Sequence, residues 1–340
     1  MAAHLQERGR GFRPHGKTHK CPEIAKRLIA AGAIGTCAAK LSEAEVFAAN
    51  EIRGLLVTTP VIGAAKIDRA IELAIEAPDT IFCVDNPENV RQFNDAAQAA
   101  ATSVALAVDL YFGRTGIAPG PPALELAQLI DALPHVRFAG LQAYDGTAAH
   151  TVGFEMRRAR TRETMARAVD TRRLIERNGI ACAMVASGST GTYSIDSEID
   201  GITELQPGSF VFMDVDYSRI GGRDGAAAYT DFRRALTVVT TVVSTQSVTA
   251  IVDGGYKSFS TDRPWGPEPI DLEGATYSWA GDEHGRLDLK GVTRPVKVGD
   301  RIEFTVPHCD PTVNLYDRIY AVRGGRVEGI WPIAARGMSQ

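Results

Sequence analysis

From its first residues to about residue 215, the chain alternates short β-branched or apolar runs with Ala/Leu/Glu-rich stretches of helical spacing. No other feature restricts the fold as much. The strand candidates are residues 12–17, 35–39, 55–60, 81–86, 104–110, 137–144, 182–187 and 209–214, eight in all. Helical spacing occupies residues 22–31, 42–50, 64–76, 87–100, 121–133 and 157–178,. Ser42 with Glu45 three residues on reads as a capping box, and Asn178-Gly179 as a helix stop,. Eight strands joined mostly by helices predict an α/β fold, a closed (β/α)8 barrel of the TIM type. An open doubly wound sheet is the alternative.

In such a barrel, chemistry gathers where the strands end. Those ends read Lys17, Ala38-Ala39-Lys40, Thr59-Pro60, Asp85-Asn86, Asp109, Tyr144-Asp145 and Ser187-Gly188-Ser189-Thr190, so polar residues collect there. Beyond Gly221-Gly222 the pattern changes to Val/Thr/Ile runs broken by Gly, Pro and Asp. Runs at residues 235–244, 248–253, 276–280, 301–306, 319–323 and 326–333, with Gly-containing turns between them, predict a smaller antiparallel β domain,. The expected division is residues 1–222 and 223–340.

The charge balance of −4 is spread along the chain without a basic stripe, which argues against nucleic-acid binding,. The five cysteines are scattered without a CxxC pair, which suits free thiols in a reducing cytoplasm,. No apolar run is long enough to span a bilayer, so no membrane partner is expected,. The first twenty residues carry five Arg/Lys against one Glu. A targeting peptide has that bias, but no apolar core or Ser-rich stretch accompanies it. The expectation is a basic helix leading into the first strand.

Lys17 stands in Arg13-Pro14-His15-Gly16-Lys17-Thr18-His19-Lys20. Burial and cationic neighbours both lower a lysine pKa, so a lysine here can act as a nucleophile toward an aldehyde such as pyridoxal phosphate. A solvated lysine in a basic loop is the plainer alternative. Ser187-Gly188-Ser189-Thr190-Gly191-Thr192 follows a strand and can offer hydroxyls and backbone N–H groups to a phosphate,. It has neither P-loop nor dinucleotide spacing, and an ordinary turn fits it as well.

Within Val306-Pro307-His308-Cys309-Asp310-Pro311, an extended backbone would project His308 and Asp310 to one face and Cys309 to the other,. One imidazole and one carboxylate, completed by water, suit Mn²⁺ or Mg²⁺. The alternative is a histidine at a turn beside a helix-starting aspartate. Arg114 can pair with a phenolate or a carboxylate, Tyr144 can lie against a cofactor, and His150 follows six residues later,.

Taken together these segments resemble the fold-type III pyridoxal-phosphate enzymes, and within them the D-threonine aldolase group. The resemblance rests on the Lys17 octet continuing through Cys21-Pro22-Glu23, and on Gly140-Leu141-Gln142-Ala143-Tyr144. It extends to Thr203-Glu204-Leu205-Gln206-Pro207-Gly208-Ser209, Phe212-Met213-Asp214, Pro307-His308-Cys309-Asp310-Pro311-Thr312-Val313-Asn314 and Trp331-Pro332-Ile333-Ala334-Ala335-Arg336-Gly337. It implies a barrel plus a β domain, paired as a homodimer with sites near the interface, and a small-molecule substrate.

By this resemblance Lys17 is the Schiff-base lysine, and Arg114 and Tyr144 are cofactor contacts. Gly188, Ser189, Thr190, Gly191 and Thr192 form the phosphate cradle, and His308 and Asp310 are the metal ligands. The implied reaction is retro-aldol cleavage of a β-hydroxy-D-amino acid, D-threonine giving glycine and acetaldehyde, with metal-bound water or His150 as base. A 3-hydroxy-D-aspartate aldolase shares the His-x-Asp feature. D-serine dehydratases resemble the chain too but carry cysteine where Asp310 stands. Small pyridoxal-phosphate carrier proteins lack both the β domain and the His-x-Asp pair. The family pattern has a further strand and most of a helix ahead of the lysine strand, Cys where this chain has Thr115, and His or Gln where it has Asp145. Without that strand a sheet edge in the β domain is expected to be exposed.

Overall fold

A computed structural model describes residues 1–340. The chain divides into two compact units, Met1–Gly208 with Gly337–Gln340, and Ser209–Arg336.

The first unit opens with α1 (Ala2–Glu7), a helix ahead of the first strand as expected, but not a basic one: it holds no Lys or Arg, and Arg8 and Arg10 follow it. It continues β1 (Gly11–Phe12), α2 (Pro22–Ala30), β2 (Thr36–Ala38), α3 (Leu41–Ala49), β3 (Leu55–Val57), α4 (Ala64–Glu76), β4 (Ile81–Val84), α5 (Pro87–Ala99), β5 (Val104–Asp109) and α6 (Pro121–Ala132). It ends β6 (Val136–Gln142), α7 (Gly146–Ala149), α8 (Phe154–Arg177), β7 (Met184–Ser187), α9 (Tyr193–Asp196) and β8 (Glu204–Leu205). All eight strands are parallel, in the order β1-β8-β7-β6-β5-β4-β3-β2. The ends of this sheet meet: His15 bridges Cys37 in parallel, and the amides of Ile34 and Cys37 donate to the carbonyls of Phe12 and Pro14. The barrel is therefore closed, and the open-sheet alternative is excluded.

A layer of Cys37, Leu56, Cys83, Ala107, Met184 and Ala186 packs as one buried cluster, its members drawn from β2, β3, β4, β5 and β7. Small residues suit a barrel axis where strands converge from all sides. The other three cysteines are also buried, and none forms a disulfide. No helix is long and apolar enough to cross a membrane.

Two expectations are corrected here. The eighth strand is β8, not residues 209–214. Ser209–Val211 is a 3-10 turn and Met213 has φ 54°, so the segment bends where extended backbone was expected. The capping box at Ser42 does not form. Lys40 is the N-cap of α3, the Ser42 hydroxyl donates to the Gln340 carbonyl, and Glu45 accepts from Arg69 at 2.8 and 2.5 Å. A hydrogen bond to the Gln340 carbonyl and an ion pair to α4 outcompete the local motif.

The second unit contains α10 (Val215–Ser218), β9 (Thr237–Gln246), β10 (Thr249–Val252), β11 (Glu268–Pro269), β12 (Thr276–Trp279), β13 (Gly285–Asp288), β14 (Arg301–Thr305), α11 (Cys309–Val313), β15 (Arg318–Arg323) and β16 (Arg326–Pro332). Six strands pair antiparallel in the order β11-β14-β9-β10-β13-β12, and β15 and β16 form a separate hairpin. Phe259, Tyr277, Trp279 and Phe304 stack edge to face in its core. Residues 209–222 belong to this unit by packing. The Val215 and Asp216 amides donate to the Val306 and Pro307 carbonyls, and the Cys309 amide donates to Asp214.

Candidate active site

Lys17 sits one turn past β1, in the 3-10 helix Gly16–Thr18, so it follows the strand instead of ending it. His15 caps this turn. Its Nδ1 lies 3.5 Å from the Lys17 amide and its Nε2 3.3 Å from the Thr58 hydroxyl. Gly16 is required by space, because a Cβ there would fall 2.5 Å from the Phe47 ring. Lys17 is half-buried at the end of the barrel toward which all strands run,.

The cationic surroundings expected from the octet are matched by buried carboxylates. Arg13 clasps Glu204 with Nε to Oε1 at 2.8 Å and Nη2 to Oε2 at 2.9 Å, both side chains being nearly inaccessible. Lys20 lies 3.2 Å from Glu43, which also accepts from the Ala39 amide. Burial pushes the Glu43 carboxyl up, while Lys20, the Ala39 amide and Lys17 pull it down. Neither Arg13, Lys20, Glu43 nor Glu204 was paired by the sequence pattern, since the partners are 191 and 23 positions apart.

At the ends of β5 and β6, the Arg114 guanidinium lies over the Tyr144 ring at 5.3 Å, a cation–π distance,. Thr115 donates to Asp109 at 2.7 Å, and the Gly116 amide to Asp85 at 3.1 Å. Burial pushes the Asp109 carboxyl up to about 6 against the opposing pull of Thr115 and Arg114, with the Asp85 charge adding to the rise. Inside the barrel Gln142 and Gln206 exchange amide hydrogen bonds of 3.1 and 3.0 Å, tying β6 to the turn after β8.

Tyr144 is half-buried beside the buried Asp145. Asp145 caps α7 through the Thr147 and Ala148 amides at 2.9 and 3.0 Å. Its other oxygen accepts from Thr164 at 2.9 Å and Arg160 at 3.3 Å. Its short carboxylate thus fixes the β6–α8 connection. His150 is the C-cap of α7 in that connection.

The Ser187–Thr192 segment turns sharply after β7. Gly188 has φ 80°, and a Cβ there would lie 2.8 Å from the Leu205 side chain, so the backbone is open only with glycine,. Three of its hydroxyls are engaged locally: Thr192 accepts from the Ser189 amide at 3.0 Å and contacts the Ser189 hydroxyl, and Ser187 donates to Asp196 at 3.1 Å. Arg157, fully buried, donates to the Gly191 carbonyl at 2.8 Å and the Thr151 carbonyl at 2.9 Å. Burial raises Asp196 to about 6, opposed by the Thr192 and Ser187 hydroxyls. A glycine-opened, hydroxyl-rich turn beside Tyr144 suits a phosphate-bearing aromatic cofactor, so these residues fit pyridoxal phosphate.

In the second unit the extended expectation for residues 306–310 is corrected at its end. His308 is extended and is the N-cap of α11, while Asp310 already lies in the first turn of that helix. The His308 backbone is pinned on both sides: its amide donates to the Ser260 hydroxyl, and its carbonyl accepts from Ser260 and Thr312. Its Nδ1 lies 2.7 Å from Asp262 Oδ2. Asp310 Oδ1 lies 3.4 Å from the Cys309 sulfur. Burial holds that thiol far above its ordinary range, so Cys309 stays protonated and is no competing ligand,. No three His, Cys, Asp or Glu side chains form a metal cluster. An imidazole nitrogen from His308 and a carboxylate from Asp310, with Asp262 orienting the ring, are donor types that fit a divalent ion completed by water,.

The alanine racemase N-terminal domain model matches residues 1–216, and a domain model described for serine dehydratases matches residues 235–322. The D-threonine aldolase of an Arthrobacter species is 40% identical over 97% of this chain and 86% of its own length. The 3-hydroxy-D-aspartate aldolase of Paracoccus denitrificans is 36% identical over 99% of this chain and 88% of its own. The crystal structure of D-threonine aldolase from Filomicrobium marinum superposes with a TM-score of 0.93 at 36% identity, covering 100% of this chain and 92% of that one. The match to these relatives runs along nearly the whole of this chain and most of theirs. The chain belongs to the alanine racemase-like family, in the group of the D-threonine and 3-hydroxy-D-aspartate aldolases.

Proposed function

We propose that this protein is a pyridoxal-phosphate-dependent carbon–carbon lyase that cleaves β-hydroxy-D-amino acids, with D-threonine giving glycine and acetaldehyde. The observation that carries the reading is the near end-to-end match to an aldolase at 40% identity over 97% of this chain; the presence of Lys17, Tyr144, His308 and Asp310 supports it.

When bound, the cofactor supplies an electron sink for the pair released as the Cα–Cβ bond breaks. Lys17 would hold the cofactor through its aldehyde group and would be the group the substrate amine replaces. Tyr144 and Arg114 orient its ring, and Gly188, Ser189, Thr190, Gly191 and Thr192 hold its phosphate, with Thr192 also bracing the loop. His308 and Asp310 would hold Mn²⁺ or Mg²⁺, a Lewis acid that lowers a hydroxyl pKa. His150 takes the proton from the β-hydroxyl as that oxygen becomes the aldehyde carbonyl. A proton delivered to Cα completes glycine.

The test is aldehyde release from D-threonine by the purified, cofactor-loaded protein with and without Mn²⁺. Release that depends on the metal supports the reading. Silence under both conditions defeats it. The relative from Paracoccus favours 3-hydroxy-D-aspartate as a second substrate, and glyoxylate release measures it. Pyruvate release from D-serine would point to the dehydratase alternative, which the aspartate at position 310 disfavours. A homodimer is the proposed assembly. The hairpin β15–β16 presents Tyr320, Val322, Val327 and Ile330 to solvent, each more than half exposed, and light scattering reads the mass,.

A further inference from the structure

Arg157 is 0% exposed and lies near the start of α8, yet its guanidinium serves two loops outside that helix. Nε donates to the Gly191 carbonyl at 2.8 Å, and Nη1 donates to the Thr151 carbonyl at 2.9 Å. Gly191 belongs to the turn after β7, and Thr151 adjoins His150 in the connection after β6. The arginine is also anchored at its base. Its amide donates to the Gly153 carbonyl, its carbonyl accepts from Thr161 at 2.8 Å, and its guanidinium lies 5.7 Å from the centre of the Phe154 ring. Taking a guanidinium out of water is costly, and the fold bears that cost at a turn made only of Ser, Gly and Thr,.

That turn, Ser187–Thr192, contains no Lys, Arg or His. Beside it, Asp145 and Asp196 line the same small cavity as Tyr144, Gly188 and Thr192. A phosphate group seated there brings about two negative charges at neutral pH into acidic surroundings. Arg160 is already given to Asp145 at 3.3 Å, whereas Arg157 bonds the turn directly. A carbonyl takes the hydrogen bond of a guanidinium without cancelling its charge. A carbonyl held in that way is also not free to turn its negative end toward an anion.

We propose that Arg157 is a positioning residue of the phosphate seat, acting through Gly191. It fixes that peptide and supplies the positive charge that the turn's own residues lack, so the site selects a phosphorylated ligand over an unphosphorylated one. Its bond to Thr151 gives the same guanidinium a hold on the segment carrying His150. A purely structural tether between α8 and two loops would favour both ligands alike. The role rests on the reading that this site takes pyridoxal phosphate, and not on which bond the enzyme cleaves.

The test titrates the apo-protein with pyridoxal phosphate and with 5′-deoxypyridoxal, which has the same ring and aldehyde but no phosphate. The lysine-bound absorbance reads both. In Arg157→Met the dissociation constant for pyridoxal phosphate is expected to rise about 10- to 100-fold, the scale of a lost hydrogen bond to a charged group. That for 5′-deoxypyridoxal should move less than about threefold, well short of that scale. Arg157→Lys keeps the charge but not the fork and should restore part of the preference. Should Arg157→Met fail to fold, Arg157→Lys is compared with wild type, and a several-fold loss for the phosphorylated ligand alone is expected. Equal losses for both ligands in whichever variant folds, or no loss for either, overturn the role. Wild-type protein that binds neither aldehyde at Lys17 overturns the cofactor reading and this role with it, a result seen before any variant is made.

Discussion

Nδ1 of His308 lies 2.7 Å from Oδ2 of Asp262, 46 positions earlier in the chain, and this contact fixes which imidazole nitrogen remains for a metal. A carboxylate on one ring nitrogen orients the ring and raises the basicity of the other. Asp262 is partly exposed, so its value lies in orientation more than in charge,.

Replacing Asp262 by Asn is therefore expected to weaken Mn²⁺ binding by roughly 10- to 100-fold while the lysine-bound cofactor absorbance stays unchanged. Titration calorimetry with Mn²⁺ reads the first quantity and a visible spectrum the second. An unchanged dissociation constant would remove Asp262 from the metal site.

Lys17→Ala should lose covalent attachment of the cofactor. Borohydride reduction of the loaded wild type, followed by peptide mass spectrometry, is expected to place the pyridoxyl group on Lys17. In the variant no peptide should carry it, and aldol cleavage should fall by at least about 10³-fold, the usual scale for losing a covalent catalyst. Because Lys17 is only half-buried, its melting temperature should change little.

The buried Arg13–Glu204 pair ties β1 to β8, where barrel closure depends on two short strands. Arg13→Met alone leaves a buried carboxylate without its partner and is expected to cost about 3–5 kcal/mol. The double variant Arg13→Met, Glu204→Leu should recover much of that loss. Urea denaturation of the three proteins gives the comparison, and a single variant as stable as wild type would contradict the pairing energy.

Asp109 has its pKa raised from 3.8 to about 6, chiefly by burial. The folded state therefore binds more protons than the unfolded state between those values, so stability falls as pH rises through that window. The stabilising proton is fully present below about pH 4 and lost above about pH 6, a swing on the order of 2–3 kcal/mol. Asp109→Asn should flatten this part of the profile measured by thermal unfolding. A variant that keeps the wild-type slope would assign the titration to other groups. Asp196, raised to a similar value, is the natural second group to test.

The alternation of strands and helices was legible in the sequence because burial on both faces of a barrel strand demands continuous apolar runs, and helices between them show their 3.6-residue period. Six of the eight strands of the second unit were legible for a related reason: Val/Thr/Ile runs between glycine turns have few other folds. Glu268–Pro269 and Gly285–Asp288 were missed, since a two-residue strand and a Gly-Arg-Leu-Asp strand carry too little apolar pattern. The eighth barrel strand was misplaced because Glu204–Leu205 is equally short, while the apolar residues 210–213 imitate a strand.

At the site, the sequence by itself named the chemistry-bearing types and their order: a lysine early in a basic octet, a glycine–hydroxyl turn, and an aspartate two positions after a histidine. Tertiary structure decided their partners. Arg13 with Glu204, Lys20 with Glu43, Gln142 with Gln206 and His308 with Asp262 join residues 23 to 191 positions apart. A local pattern records what each residue prefers of its neighbours along the chain. Burial of charge forces a partner from wherever the fold brings one, and that choice is made by closing the barrel and folding the sheet.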